Sequence, residues 1–306
     1  MSNKVHIYLA STPWMSSRAI RKDIIKQTPH NKGVWNNLVI VKSLKQADFV
    51  IIQDDTEEWP TIKCFAKERI LYFSREALDN QSIKKYSDND VTKFSYWNKT
   101  GYLYTKWVYH EPLKVKLRKY FSFRFTPGYN GLGLDYSSIL ERPIDTLRSK
   151  RICAILSNTQ ITEGHKLRLE FTNKLLKKYS FDLYGNVTFS NSEISRTDKY
   201  KVLEKYQYCL SFDNQDTIED FFGTQFTDAI LAGCCPIYWG GAKLEKYFPK
   251  DSFIQIDIRK MECIDDVIEI LNRDDFNKRI PAINIARKLL LDKYNLLPTI
   301  EMIINK

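Results

Sequence analysis

The stretch FDNQDTIEDFFGTQFTDAILAGCCPIYWGG, residues 212–241, passes from an acid-rich polar loop through an apolar helical pattern into a short β-type run. Strand end, loop, helix and buried strand in that order make one unit of a parallel α/β sheet. Ligands of such sheets bind outside the carboxyl ends of the strands. The loop at Asp213 and Asn214 is therefore the first place to look for a site. The turn FFGTQF, where the acidic loop becomes the helix, carries no charge at all.

Outward from this unit the same alternation recurs. Runs rich in Val, Ile, Tyr and Phe stand at 5–10 (VHIYLA), 47–53 (ADFVIIQ), 69–74 (RILYFS), 151–157 (RICAILS), 181–185 (FDLYG), 208–212 (YCLSF), 235–240 (CPIYWG) and 252–257 (SFIQID). Helical spacing fills the gaps, as in HKLRLEFTNKLLKKY (165–179) and YKVLEKYQ (200–207). The pattern predicts an α/β protein with mostly parallel strands covered on both faces. It lapses in a turn-rich segment containing PGYNGLGL (127–134), which predicts a first domain over 1–148 and a second over 149–306. The end of the chain reads as a helix, a break at Pro298 and a short tail. In the second half the loops after Ser157, Gly185 and Phe212 are expected to converge on one crevice.

Composition narrows the function classes. There is no apolar run of membrane-spanning length, and MSNKVHIYLASTPW lacks the layout of a secretory leader, so a cytoplasmic location is expected. Six cysteines include no C-x-x-C pair, which argues against zinc and redox motifs and for buried thiols in a reducing compartment. Of 47 Lys and Arg, 25 lie in the first 150 residues, against 15 of 37 Asp and Glu, so this half carries the whole net charge of +10. A basic half calls for an acidic partner: a phosphorylated or uronic-acid glycan, an anionic membrane surface or nucleic acid. The densest basic cluster, KVKLRKYFSFR (114–124), also has the plain reading of a solvated amphipathic face. Aromatic residues interleaved with Lys and Arg suit single-stranded nucleic acid and sugars alike, but no RNA-binding motif is present and no specific nucleic acid is expected.

Dinucleotide, P-loop, zincin and hydrolase-elbow motifs are all absent. Four scattered histidines make no metal site, and the acidic patches QDDTEE (53–58) and DNQDTIED (213–220) read as solvated or capping carboxylates. What remains is a crevice suited to a nucleotide diphosphate, held by backbone N–H groups and a cation. Arg168, expected on the first turn of its helix, is a candidate for that cation and equally an ordinary exposed helix arginine. Asp213 and Asn214 can bond a ribose or sugar, or simply build a turn.

These residues carry a resemblance. YQYCLSFDN, EDFFGTQFTDAILAGCCPIYWGG and KYFPKDSFIQID, within 206–257, resemble the donor-binding signature of the family 10 glycosyltransferases, the α-1,3/4-fucosyltransferases. Upstream, LSN (156–158), Arg168, Phe171 and Leu175, then DLYGN (182–186) repeat that family's order. The resemblance spans about 100 residues of the second half and is weak in the first. It implies GT-B architecture, two Rossmann-like domains facing a central cleft, the acceptor on the first and the nucleotide-sugar on the second. It also implies an inverting transfer of fucose from GDP-fucose to a glycan hydroxyl, with no cofactor and no essential metal. The site it implies comprises Ser157, Asn158, Arg168, Tyr184, Gly185, Asn214, Phe221, Gly223, Thr224 and Gln225 for the donor, and Glu76 as catalytic base after a strand. Glu111 and Asp54 stand in reserve.

One departure falls on the opening stretch. The family pattern has Glu and Lys where this chain has Thr224 and Gln225. Three readings stay open: another nucleotide-sugar recognised through Gly223, Thr224 and Gln225; GDP-fucose retained with Arg168 and a further cation such as Lys201 or Arg196; or binding of glycan or nucleic acid without catalysis.

Overall fold

The computed structural model describes residues 3–12, 15–53, 56–62, 64–65, 69–73, 134–186, 199–216, 222–241, 243–273 and 275–305. They fall into two compact units: Met1–Tyr129 with Leu134–Ser137 and Tyr294–Lys306, and Ser138–Lys293 with Asn130–Gly133.

The first unit is built on strands β1 (Val5–Leu9), β2 (Val34–Trp35), β3 (Leu38–Ile40), β4 (Phe49–Gln53) and β5 (Ile70–Phe73), in the order β2-β3-β1-β4-β5. All neighbours are parallel except β2 and β3. Helix α1 (Ser17–Ile25) is capped by Ser16 and turns Ile20 and Ile24 into the core. Tyr8, Ala10, Val50, Ile52, Ile62 and Ile70 form a continuous apolar cluster, in which Ile62 comes from the short helix α2 (Trp59–Ile62). The β2–β3 hairpin was not legible in the sequence. Its strands are too short to show alternation, and they reverse at Asn36, whose φ of 49° lies in the left-handed region that Asn tolerates.

After helix α3 (Tyr136–Glu141), the second unit contains β6 (Lys150–Ile155), α4 (Glu163–Lys178), β7 (Asp182–Tyr184), α5 (Lys199–Leu203), β8 (Tyr206–Phe212), α6 (Thr224–Leu231), β9 (Cys235–Trp239), β10 (Ile254–Gln255), α7 (Cys263–Asn272) and α8 (Phe276–Asp292). Its five strands are all parallel, in the order β10-β9-β8-β6-β7. The central strand β8 is buried along nearly its whole length, as a strand covered on both faces must be. From β6 the chain winds first to β7 on one side and then to β8 on the other. This reversal opens a crevice at the carboxyl ends of β6 and β8.

Two boundaries differ from the sequence reading. Residues 138–148 group with the second unit, because the buried Arg148 guanidinium donates to the carbonyls of Leu203, Tyr206 and Ala232 at 3.3, 2.6 and 2.7 Å. Residues 294–306 group with the first unit through α9 (Leu296–Ile304), whose Glu301 carboxylate accepts from Trp35 Nε1 at 3.1 Å and Asn36 Nδ2 at 2.9 Å. Pro298 is also not a break. It sits in the first turn of α9, where its missing N–H has no helical partner to lose, and Asn295 caps that helix. No helix among the described residues is long and apolar enough to cross a membrane.

Candidate functional site

The crevice is built from the loops leaving β6 and β8. Helix α4 begins at a reciprocal cap: Thr162 Oγ1 accepts from the His165 N–H at 3.2 Å, and His165 Nδ1 accepts from the Thr162 N–H at 3.2 Å. The Thr162 hydroxyl donates to the Asn214 carbonyl at 2.6 Å. A Cβ on Gly164 would lie 2.3 Å from the same carbonyl oxygen, so only glycine lets the helix start press on the loop after β8.

This close approach places Arg168 inside the crevice. The cap starts α4 at Glu163, two residues before the expected helix, which moves Arg168 from the first turn to the second. Arg168 is buried, and its Nη2 donates to Ser157 Oγ at 3.0 Å. Its Nε is buried without a partner among the described residues. Burial lowers its pKa to about 10, against the opposing pull of the Asp213 carboxylate, so the guanidinium stays charged at neutral pH. Burial, with the Arg168 charge adding to it, lowers His165 to about 4 and keeps that imidazole neutral.

Residues 222–226 of the turn close the other side. Gly223 is the N-cap of α6, and its N–H donates to both oxygens of Asp213 at 3.1 Å. Tyr238, from β9, donates its hydroxyl to Asp213 Oδ2 at 2.7 Å. Phe222 and Phe226 enter an aromatic cluster with Tyr247, Phe248, Tyr238 and Phe253, at centroid distances of 5.1–6.2 Å. Two residues of this turn, Phe222 and Phe226, are core, which excludes charge at their own positions. Burying one such ring contributes about 1.5–3 kcal/mol, which a charged residue there would forfeit.

Residues 146–278, the stretch that builds this crevice, match the family described as glycosyltransferase family 10 (fucosyltransferase), C-terminal part. Over this stretch the chain is similar to that family. A fucosyltransferase-like protein of Arabidopsis thaliana is 29% identical over 106 residues, which are 34% of this chain and 20% of the relative's length. The match thus spans about a fifth of that relative. A crystal structure of an α1,3-fucosyltransferase superposes with a TM-score of 0.51 over all of this chain and 91% of the other, at 14% identity. This likeness concerns the fold, which is of GT-B type.

Within residues 146–278 the expected donor residues are distributed unevenly. Ser157, Arg168, Asn214, Gly223, Thr224 and Gln225 lie on the loops and helix starts just described, with Asn158 exposed beside Ser157. Thr224 and Gln225 are half-buried on the first turn of α6. The Tyr184 hydroxyl is hydrogen-bonded to that of Tyr206 at 2.7 Å. Gly185, at φ 106°, lets the loop after β7 approach that after β6, since a Cβ there would lie 2.0 Å from the Leu156 carbonyl oxygen. Lys201 is exposed on α5. Glu76, Glu111, Asp54, Arg196 and Phe221 lie outside the described residues.

Of the acidic patches, Asp213 is buried and bonded rather than solvated, and Glu58 ties Tyr8 Oη to the Ser11 N–H at 2.7 Å each. No group of three or more potential metal ligands occurs among the described residues. Sequence reasoning missed Thr162, His165, Tyr238 and Gly240. The spacing of Thr162 and His165 is that of a capping box, a signal hidden because His takes the place of the usual Glu or Gln. Tyr238 and Gly240 gave no local signal.

Proposed function

We propose that the protein transfers fucose from GDP-fucose to a hydroxyl of a glycan acceptor, with inversion at the anomeric carbon. The observation that carries this reading is Arg168: a buried cation whose Nε has no partner among the described residues, at the carboxyl ends of β6 and β8 in the stretch that matches the family 10 model. A departing diphosphate is the anion such a group suits, and stabilising it lowers the barrier to breaking the glycosidic bond. Glu76 is proposed as the base that takes the acceptor proton while the hydroxyl oxygen attacks. No metal is assigned to the reaction. In this reading the second unit serves the donor, while the first, which holds the excess of basic residues, serves an acceptor of acidic character at or near an anionic membrane face of the cytoplasm.

The neutral side chains of Thr224 and Gln225 favour a second reading, the same transfer from a different nucleotide-sugar. A thermal-shift panel of GDP-, UDP- and dTDP-sugars separates the two, because a ligand bound only by the native state raises its melting temperature. GDP-fucose alone should raise it. A shift with a UDP- or dTDP-sugar and none with GDP-fucose replaces the donor, and no shift with any of them removes the enzymatic reading.

A further inference from the structure

The Asp213 carboxylate joins the loop after β8 to the start of α6 and to the chain at the end of β9. It leaves the end of β8, where its own N–H donates to the Trp239 carbonyl at 2.9 Å, and it is buried. It receives the Gly223 N–H of α6 on both oxygens and the Tyr238 hydroxyl of β9 on Oδ2. A Cβ on Gly240 would lie 2.7 Å from Asp213 Oδ2 and 2.1 Å from the Tyr238 hydroxyl, so the chain after β9 seals the carboxylate and phenol in place. Its charge also acts on Arg168, against the effect of burial.

In a capping box the N3 side chain reaches back to the N-cap N–H. Here N3 of α6 is Phe226, which has no acceptor and is committed to the aromatic cluster. Asp213 supplies that acceptor from another element, and its negative charge stands at the positively polarised end of α6. The turn that lacks the family's Glu and Lys is therefore held through its backbone.

We infer that Asp213 is a positioning residue of the donor crevice: it fixes the Gly223–Gln225 turn in one geometry, without itself contacting the leaving group. This inference rests on the donor reading above. Its chemistry is distinct from that of Arg168, because a carboxylate here repels a diphosphate and can favour donor binding only through the groups it holds.

Asp213→Asn removes the charge and one acceptor while keeping the size. Tyr238→Phe removes only the phenol donor and leaves the Gly223 contact. Two measurements on the full chain decide the matter: amide exchange of residues 223–226 without ligand, and calorimetric titration with GDP well below the melting temperature. Asp213→Asn should speed exchange at Gly223 and weaken GDP binding, each by about tenfold, with Tyr238→Phe intermediate in both. A simple electrostatic role would instead tighten GDP binding on loss of the carboxylate, and that result overturns the inference. So does unchanged exchange at 223–226, or faster exchange with unchanged GDP affinity. Wild-type protein that binds no nucleotide diphosphate brings down the donor reading and the positioning role with it, whereas intact wild-type binding with an unaffected variant brings down the role alone.

Discussion

Arg168 Nη2 donates to Ser157 Oγ at 3.0 Å, joining the second turn of α4 to the loop at the end of β6. The bond spans 11 positions of sequence and closes one β-loop-α unit on itself. It aims a cation across the strand ends instead of along the helix surface, where Arg side chains ordinarily lie.

Replacing Arg168 with Ala should weaken nucleotide-diphosphate binding by about 1.5–3 kcal/mol, the range of a charge-assisted hydrogen bond. Arg168→Lys should recover only part of this, because a point charge cannot serve Ser157 and a phosphate in the same planar fork. Calorimetric titration with GDP measures both, and an unchanged affinity in the Ala variant moves the phosphate site elsewhere.

Glu76→Gln should abolish turnover while leaving GDP affinity near that of wild type. A base acts on the acceptor proton and contributes little to holding the donor. Wild-type rates of sugar transfer in this variant would exclude Glu76 as the base.

His165 gives the second unit a pH-dependent cap. Its folded pKa of about 4 lies below the ordinary 6.5. As pH falls through this window the unfolded chain takes up a proton that the folded state refuses, so stability present above pH 6.5 is lost towards pH 4. After allowance for solvent screening the loss is about 1–2 kcal/mol. His165→Gln keeps an acceptor for the Thr162 N–H and cannot titrate. Urea unfolding at pH 7 and pH 4.5 should show a smaller difference in the variant than in wild type.

Gly185→Ala should destabilise the fold by about 1–3 kcal/mol, through overpacking and a strained φ together. The added methyl would meet the Leu156 carbonyl, which is backbone and cannot swing aside. Chemical denaturation measures the change; stability equal to wild type would mean that the loops after β6 and β7 are not in this contact.

Glu301→Ala should leave the Trp35 indole N–H without its acceptor and destabilise the first unit by about 1–3 kcal/mol. Trp35 is buried, so its emission should also respond. A variant with unchanged stability would show that α9 is held by its apolar face alone.

The sequence by itself determined the order of the five strands in the second half and the helices α4, α5 and α6 between them, because buried strands and amphipathic helices each leave a local periodic mark; helix α7 went unread. It also carried the resemblance to family 10 that singled out Arg168 and Asn214, and the departure from that pattern at Thr224 and Gln225. Short elements left no such mark, so the β2–β3 hairpin went unread, and Pro298 read as a break because a helix start is set by its cap at Asn295. Only the tertiary structure decided that Arg148 assigns residues 138–148 to the second unit and Glu301 assigns α9 to the first. It alone decided, too, that Asp213, Gly223, Tyr238 and Gly240 share one buried contact. The reason is range: periodicity reports which face of an element is buried, whereas these contacts join residues from different elements whose distance is fixed only when the sheet packs.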